Sequence, residues 1–297
     1  MKKTPSRKDY QEHLTEYYDR QSAVYSATYT GKGRYPTGFH RLQIALAMID
    51  EIRPKPKAVL DAGCGDARMV IELRKRKIPA TGFDVSSGMI EVGRQLLQEA
   101  KLQEDLITLG DIYKIPAKKG SLDLLLSLGV LENLDRHEDL FKEFRRVLKP
   151  KGRMLISLEN KLFSLFTFNQ HTIRFLQRLF KDIKIPAGIR DNVLRDIASW
   201  LHLDDIEQVE RIIEDRQIKK EHMAIPEYDR LNIDSELRKH GFHTERLRFY
   251  HVHPLPPRFE KKYPDLFRGF AENLETSEYD WHSTLLCNCM LVQAVKI

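Results

Sequence analysis

Asp61, Gly63 and Gly65 stand in the run Val59-Leu60-Asp61-Ala62-Gly63-Cys64-Gly65-Asp66-Ala67, where four apolar or acidic residues give way to small ones. Glycines there let the backbone turn sharply and come close to a ligand, while the helix that follows offers free amide groups. A G-x-G alone also suits any tight strand-to-helix turn. The second segment, Gly82-Phe83-Asp84-Val85-Ser86, ends the next apolar run with an aspartate 21 positions beyond Gly63. That is the spacing at which an acid on a second strand reaches ribose hydroxyls. The third, Leu109-Gly110-Asp111-Ile112, closes a third run, where Asp111 can accept from an exocyclic adenine amine and Ile112 can pack on the ring. Together the three segments point to a nucleoside-type ligand.

Positioning them requires short strands alternating with helices. Apolar runs at 58–61, 80–84, 106–109, 122–128 and 153–158 read as strands, and 67–77, 87–101 and 137–148 as the helices between them. Right-handed crossovers lay such strands side by side in a parallel sheet. Lys149-Pro150-Lys151-Gly152 reads as a turn, and strand-like stretches at 246–252 and 287–295 would add an antiparallel edge pair after a helix through Leu237 and a break at Gly241. The expected fold is α/β: a doubly wound, Rossmann-like, seven-stranded sheet, mostly parallel, with a helical insertion. Residues 1–54 read as N-terminal helices, with apolar spacing from Leu42 to Ile49 that stops at Arg53-Pro54-Lys55-Pro56. Residues 55–160 form the core, 161–225 a helical insertion or cap, and 226–297 the C-terminal part of the sheet. The aromatics of the insertion, from Phe163 to Phe180, either bury it against the core or roof a substrate pocket.

The three segments, in order and at this spacing, resemble the class I S-adenosylmethionine-dependent methyltransferases, specifically the set that includes the ubiquinone and menaquinone C-methyltransferases and many small-molecule O- and N-methyltransferases. The likeness is strong over about 58–160 and loose on the flanks. It implies S-adenosylmethionine as cofactor, with the methionine portion on the loop Asp61 to Gly65, ribose at Asp84 and adenine at Asp111. By the same carry-over Val85 and Met89 line the adenine pocket with Ile112, and Leu128-Gly129 pass beneath the sulfonium. Tyr17, Tyr18, Asp19, Arg20, Tyr25 and Arg41 resemble the leading helices that fold over the cofactor, where hydroxyl and guanidinium groups suit a carboxylate. Two departures stand out: Ala67 holds the place of a frequent third glycine, and Leu131-Glu132-Asn133-Leu134 lacks the histidine many relatives carry.

Methyl transfer from a sulfonium needs positioning more than acid–base groups, so few catalytic residues are expected. His137, His251, His253 and Glu159 are the candidates for a base. His251-Val252-His253-Pro254 would set both histidines on one strand face. They lack a third ligand, so no metal is expected. Arg74-Lys75-Arg76-Lys77 reads as cations closing a helix.

The charge balance, 49 Lys and Arg against 43 Asp and Glu, is a modest +6 spread along the chain, which does not mark a nucleic-acid binder. Three cysteines cannot form a disulfide framework, and neither an apolar leader nor a spanning run is present, so a cytoplasmic protein is expected. The expected partner is a small-molecule acceptor, a metabolite, sugar, lipid or quinone precursor, with a homo-oligomer left open. The alternatives are RNA or protein methylation, against which stands the absence of an Asn-Pro-Pro-Tyr segment, a non-catalytic cofactor-binding scaffold, and an NAD-dependent dehydrogenase, whose third fingerprint glycine is replaced by Arg68.

Overall fold

The structure is a computed structural model that describes residues 7–25, 29, 36–180, 186–203, 228–252, 256–260, 262–273 and 281–297. Seven strands form one sheet: β1 (Val59–Ala62), β2 (Ala80–Asp84), β3 (Ile107–Leu109), β4 (Leu122–Ser127), β5 (Leu148–Glu159), β6 (Phe242–Val252) and β7 (Cys287–Lys296). Their order across the sheet is β3-β2-β1-β4-β5-β7-β6. The first five run parallel, and β7 lies between β5 and β6, antiparallel to both. The order of connection reverses beside β1, which pairs with β2 on one side and β4 on the other, so a crevice opens past the carboxyl ends of these strands.

Helices cover both faces, and all four residues of β1 are buried. On one face α2 (Thr37–Asp50), α3 (Arg68–Lys75) and α4 (Ser87–Glu99) pack Leu46, Ile49, Val70, Leu73 and Leu97 onto Val59, Leu124 and Leu126. On the other, α5 (His137–Val147) and α8 (Ile233–Lys239) pack Phe141, Phe144 and Leu237 onto Leu125, Met154 and Phe242. Helix α1 (Arg7–Tyr25) lies against α4.

The insertion supplies α6 (Gln170–Phe180) and α7 (Ala187–Trp200), which share a small core of Ile173, Leu194 and Ala198. Phe163 and Phe175 are buried, whereas Leu179 is exposed. Residues 204–225 of the expected insertion lie outside the described residues. The C-terminal segment adds α9 (Pro264–Asn273) and α10 (Trp281–Leu286) before β7.

Three local expectations are corrected. The run Lys149 to Gly152 is not a separate turn: it belongs to β5, which begins at Leu148, slips register opposite Leu122 and Leu124, and carries Lys151 at φ 59°. Helices α3 and α4 stop two residues short of the expected ends, because Lys77 and Lys101 adopt left-handed backbone. His251 also has a positive φ, 57°. That kink breaks the alternation of β6: Tyr250 joins the core on the α2 face while Val252 joins the other, although they are two residues apart.

Candidate functional site

The crevice past β1, β2, β3 and β4 is a cleft of about 220 Å³. Its floor is set by the loop after β1. Gly63 N and Cys64 N both donate to the carbonyl of Phe83 at the end of β2, at 2.8 and 2.9 Å. Gly63 has φ 84°, and a β-carbon there would stand 2.5 Å from Cγ2 of Val130 on the loop after β4. The glycine therefore lets two strand ends close on each other.

Asp84, at the tip of β2, holds the same loop from the other side. Its Oδ2 accepts from Gly65 N at 2.8 Å and its Oδ1 from Ser86 N at 2.9 Å. Burial raises the Asp84 pKa, while these backbone donors pull it back down. Ser86 caps α4 by accepting from Met89 N at 3.1 Å, which seats Met89 at the cleft wall. At the end of β3, Asp111 is exposed and accepts from Tyr113 N at 2.9 Å, beside buried Ile112.

The N-terminal helices close the cleft. Asp19 Oδ1 accepts from Ser86 Oγ at 2.6 Å and from Gly88 N at 2.9 Å, so the acid of α1 sits on the amino end of α4. That clip brings Thr15 and Tyr18 into the lining. Tyr25 faces the cleft and accepts from Arg41 Nη2 at 3.4 Å. A smaller hollow of about 30 Å³ adjoins it, lined by Tyr25, Tyr29, Arg41, Asp61, Gly63, Gly65 and Leu128 among others.

The charges of this hollow are unevenly matched. Asp61 is 3% exposed, and its Oδ1 is buried with no hydrogen-bond partner. Burial pushes its pKa up to about 7, the Asp84 charge adding and Arg41 opposing. Glu132, on the single turn Leu131–Asn133 after β4, lies with Oε1 3.9 Å from Arg41 Nη1, and its Oε2 is also buried without a partner. Burial raises its pKa too, with Arg41 again opposing. For Arg41 burial works against the charge, but Tyr250, Tyr25, Tyr29 and Glu132 outweigh it and keep the guanidinium protonated.

Of the residues expected from sequence, Gly63, Gly65, Asp84, Val85, Met89, Asp111, Ile112, Leu128, Gly129 and Tyr25 line the cleft, and Asp61 and Arg41 line the hollow beside it. Tyr17 and Arg20 face solvent, Arg20 paired with Glu16 at 3.4 Å. Ala67 takes the third glycine's place with φ 64° and is fully buried.

The histidines fare differently. His137 is buried outside the cleft lining: Nδ1 lies 2.9 Å from Tyr228 Oη and Nε2 2.9 Å from the carbonyl of Leu131, so the ring fastens the turn after β4 to the chain beyond the insertion. That geometry removes it from the candidate bases. Burial lowers its pKa. His251 lies outside both linings, with Nδ1 3.3 Å from Asn288 Nδ2, and His253 lies outside the described residues. Glu159 is exposed at the end of β5.

Sequence reasoning missed Thr15, Phe83, Tyr113, Val130 and Asn133, which also line the cleft. Only Asn133, a polar residue in the loop after a buried strand, carried a signal. Among the described residues, no three His, Cys, Asp or Glu side chains gather as a metal site would need, and no helix is long and apolar enough to cross a membrane.

Comparison with known proteins agrees with this geometry. Residues 60–156 match the methyltransferase domain family. The chain is 29% identical to a demethylmenaquinone methyltransferase of Geobacillus over 57% of its own length and 70% of that protein's. It is 32% identical to a ubiquinone/menaquinone biosynthesis C-methyltransferase of Ruegeria over 44% and 57% of the two chains. Among solved structures, the magnesium protoporphyrin IX methyltransferase of Synechocystis, with bound S-adenosylhomocysteine, superposes with a TM-score of 0.56 at 13% identity, covering 97% of this chain and all of that one. The matched residues begin within β1 and end within β5, the stretch that builds the cleft floor. Residues 60–156 thus form a methyltransferase domain of the S-adenosylmethionine-dependent kind, set in a Rossmann-like seven-stranded sheet.

Proposed function

We propose that the protein moves the methyl group of S-adenosylmethionine to a small-molecule acceptor, and that the cleft past β1 to β4 binds the donor. The observation that carries this reading is the convergence of Asp61, Asp84 and Asp111, on three successive strand ends, around one cleft and its adjoining hollow. Fit is tested by the unmet groups. Asp61 offers a buried oxygen with no partner, suited to an ammonium, and the hollow also holds the Arg41 guanidinium, suited to a carboxylate, so the two ends of an amino acid find complementary charges. Asp84 keeps lone pairs for ribose hydroxyls, and Asp111 with Ile112 offers an acceptor and an apolar face for adenine.

When bound, the donor supplies a sulfonium methyl for in-line displacement. The protein's own residues orient it and exclude water. Tyr18 and Tyr25 roof the site from α1, held there by Asp19, and Leu128 with Gly129 forms the wall where the cleft and hollow meet. The acceptor would approach past Asn133 and Leu134, and the insertion from residue 161 onward would shape that approach. The relatives named for quinone methylation favour a small-molecule acceptor over RNA or protein. The same proposal places the protein in the cytoplasm, a setting that three free cysteines suit.

Two measurements test the proposal. Calorimetric titration should show S-adenosylmethionine binding, with NAD silent. Incubation with methyl-labelled donor and cell extract should then label a compound small enough to pass a filter that retains protein and RNA. Label found only in the retained fraction would defeat the small-molecule reading.

A further inference from the structure

Arg41 is a half-buried cation that serves two carboxylates, the half-buried Glu132 and the buried Asp61. Glu132 faces it at 3.9 Å, and the field of Arg41 also acts on Asp61, each acid keeping one oxygen without a partner. The guanidinium presses on the backbone of Gly129, where a β-carbon would lie 2.7 Å from its Cζ. Gly129 lines the cleft, and Leu128 lines both cleft and hollow. A donor with its nucleoside at Asp84 and its amino acid at Asp61 must therefore set its central sulfur at this junction, next to Arg41. An uncompensated guanidinium there would repel a sulfonium.

We infer that Glu132 is a specificity-determining residue: Asp61 and Glu132 set two acids against the one Arg41, an excess of one negative charge that a zwitterionic amino acid leaves in place, so the site favours the positively charged sulfonium donor over the neutral thioether left after transfer. The inference rests on the donor-site reading above. Glu132 needs no contact with the ligand for this role, since it acts through Arg41. Other groups facing the two acids cannot replace it. Around Glu132 stand Tyr18 of α1, Tyr250 of β6 and Cys289 of β7, and around Asp61 stand Asp84 and Cys64, so Arg41 is the one cation acting on either acid among these. Burial raises the pKa of both acids, and Arg41 draws both back down.

The test compares the affinities of S-adenosylmethionine and S-adenosylhomocysteine, ligands that differ by one methyl group and one charge. In Glu132→Gln the ratio of the two affinities should shift toward S-adenosylhomocysteine by about fivefold or more, as a lost unit charge near a sulfonium predicts. Glu132→Asp, which keeps the charge, should hold the ratio within about twofold of the wild type. A purely structural loss would weaken both ligands alike and leave the ratio unchanged, which would overturn the inference. Should Glu132→Gln fail to fold, Arg41→Gln decides instead. Without the cation that Glu132 offsets, the ratio should shift toward S-adenosylmethionine, and an unchanged ratio overturns the inference. Failure of both ligands to bind the wild type would defeat the donor-site reading itself, and this inference with it.

Discussion

The Arg41 guanidinium lies so close to Gly129 that the backbone there admits no side chain. Gly129 has φ 80° and donates its N–H to Ser157 Oγ at 2.6 Å, so its position is fixed from below by β5 and from above by α2. Both the backbone conformation and the contact exclude a β-carbon. Gly129→Ala should destabilise the fold by about 1–3 kcal/mol and displace Arg41. Thermal unfolding measures the first effect. Titration measures the second, as a weakened grip on S-adenosylmethionine; an unchanged affinity would show that Arg41 is not needed there.

Asp84 has two tasks, and both draw on its carboxylate. Its carboxylate fastens the loop through Gly65 N and Ser86 N while facing the cleft. Asp84→Asn keeps one carbonyl oxygen for the loop but loses the charge that strengthens bonds to ribose hydroxyls. Loss of charge-assisted hydrogen bonds should cut affinity about tenfold to a hundredfold. Adenosine should suffer in proportion, since it carries the same ribose, whereas free methionine, measured by competition, should not.

The Asp61 carboxyl makes stability depend on pH. Its pKa is pushed up to about 7, well above the usual carboxylate range, chiefly because it is buried. The folded state thus holds this proton more tightly than the unfolded chain, so the contribution is fully present below about pH 4 and lost as pH rises toward about 7. Asp61→Asn, which cannot ionise, should match the ligand-free wild type in acid and exceed its stability above about pH 7 by roughly 2–4 kcal/mol. The same variant should bind S-adenosylmethionine more weakly above about pH 7, where the wild-type carboxylate is charged. Calorimetric melting curves across the range, with and without ligand, check both directions. Parallel pH profiles for variant and wild type would show that Asp61 is not the group responsible.

The cleft floor was legible in the sequence because its chemistry is local. Asp61, Gly63, Gly65, Asp84 and Asp111 each sit within a few residues of a strand end, and strand ends follow from apolar runs. The roof was only half legible. Tyr25 and Arg41 carried chemical promise, but Tyr18 reaches the cleft while adjacent Tyr17 faces water, and that choice depends on how Asp19 docks on Ser86 and Gly88, nearly 70 positions away. Glu132 was read only as a missing histidine. Its burial beside Arg41 is set by the pairing of β4 with its neighbours and by where α2 crosses the sheet, neither of which leaves a periodic trace. His251 misled because alternation assumes a regular strand, and one left-handed residue shifted it.

Helix ends were misjudged for a reason that can itself be tested. After α3, Lys77 N donates to the carbonyl of Arg74 and Ile78 N to that of Leu73, both at 2.9 Å; after α4, Lys101 N and Leu102 N do the same to Gln98 and Leu97, again at 2.9 Å. Each is a Schellman closure, in which glycine is the usual residue, but here lysine occupies the left-handed position, at φ 59° and 57°. Lysine at the end of a helical run reads as one more helical residue, so the stop was invisible. Both lysines are exposed, and replacing them removes strain without opening a cavity. Lys77→Gly and Lys101→Gly should each raise stability by about 0.5–1 kcal/mol, and because the two sites close different helices the gains should add. Denaturant titration of the single and double variants measures this, and a loss at either site would mean that the lysine side chain, with its charge near the helix carboxyl end, contributes more than its backbone strain costs.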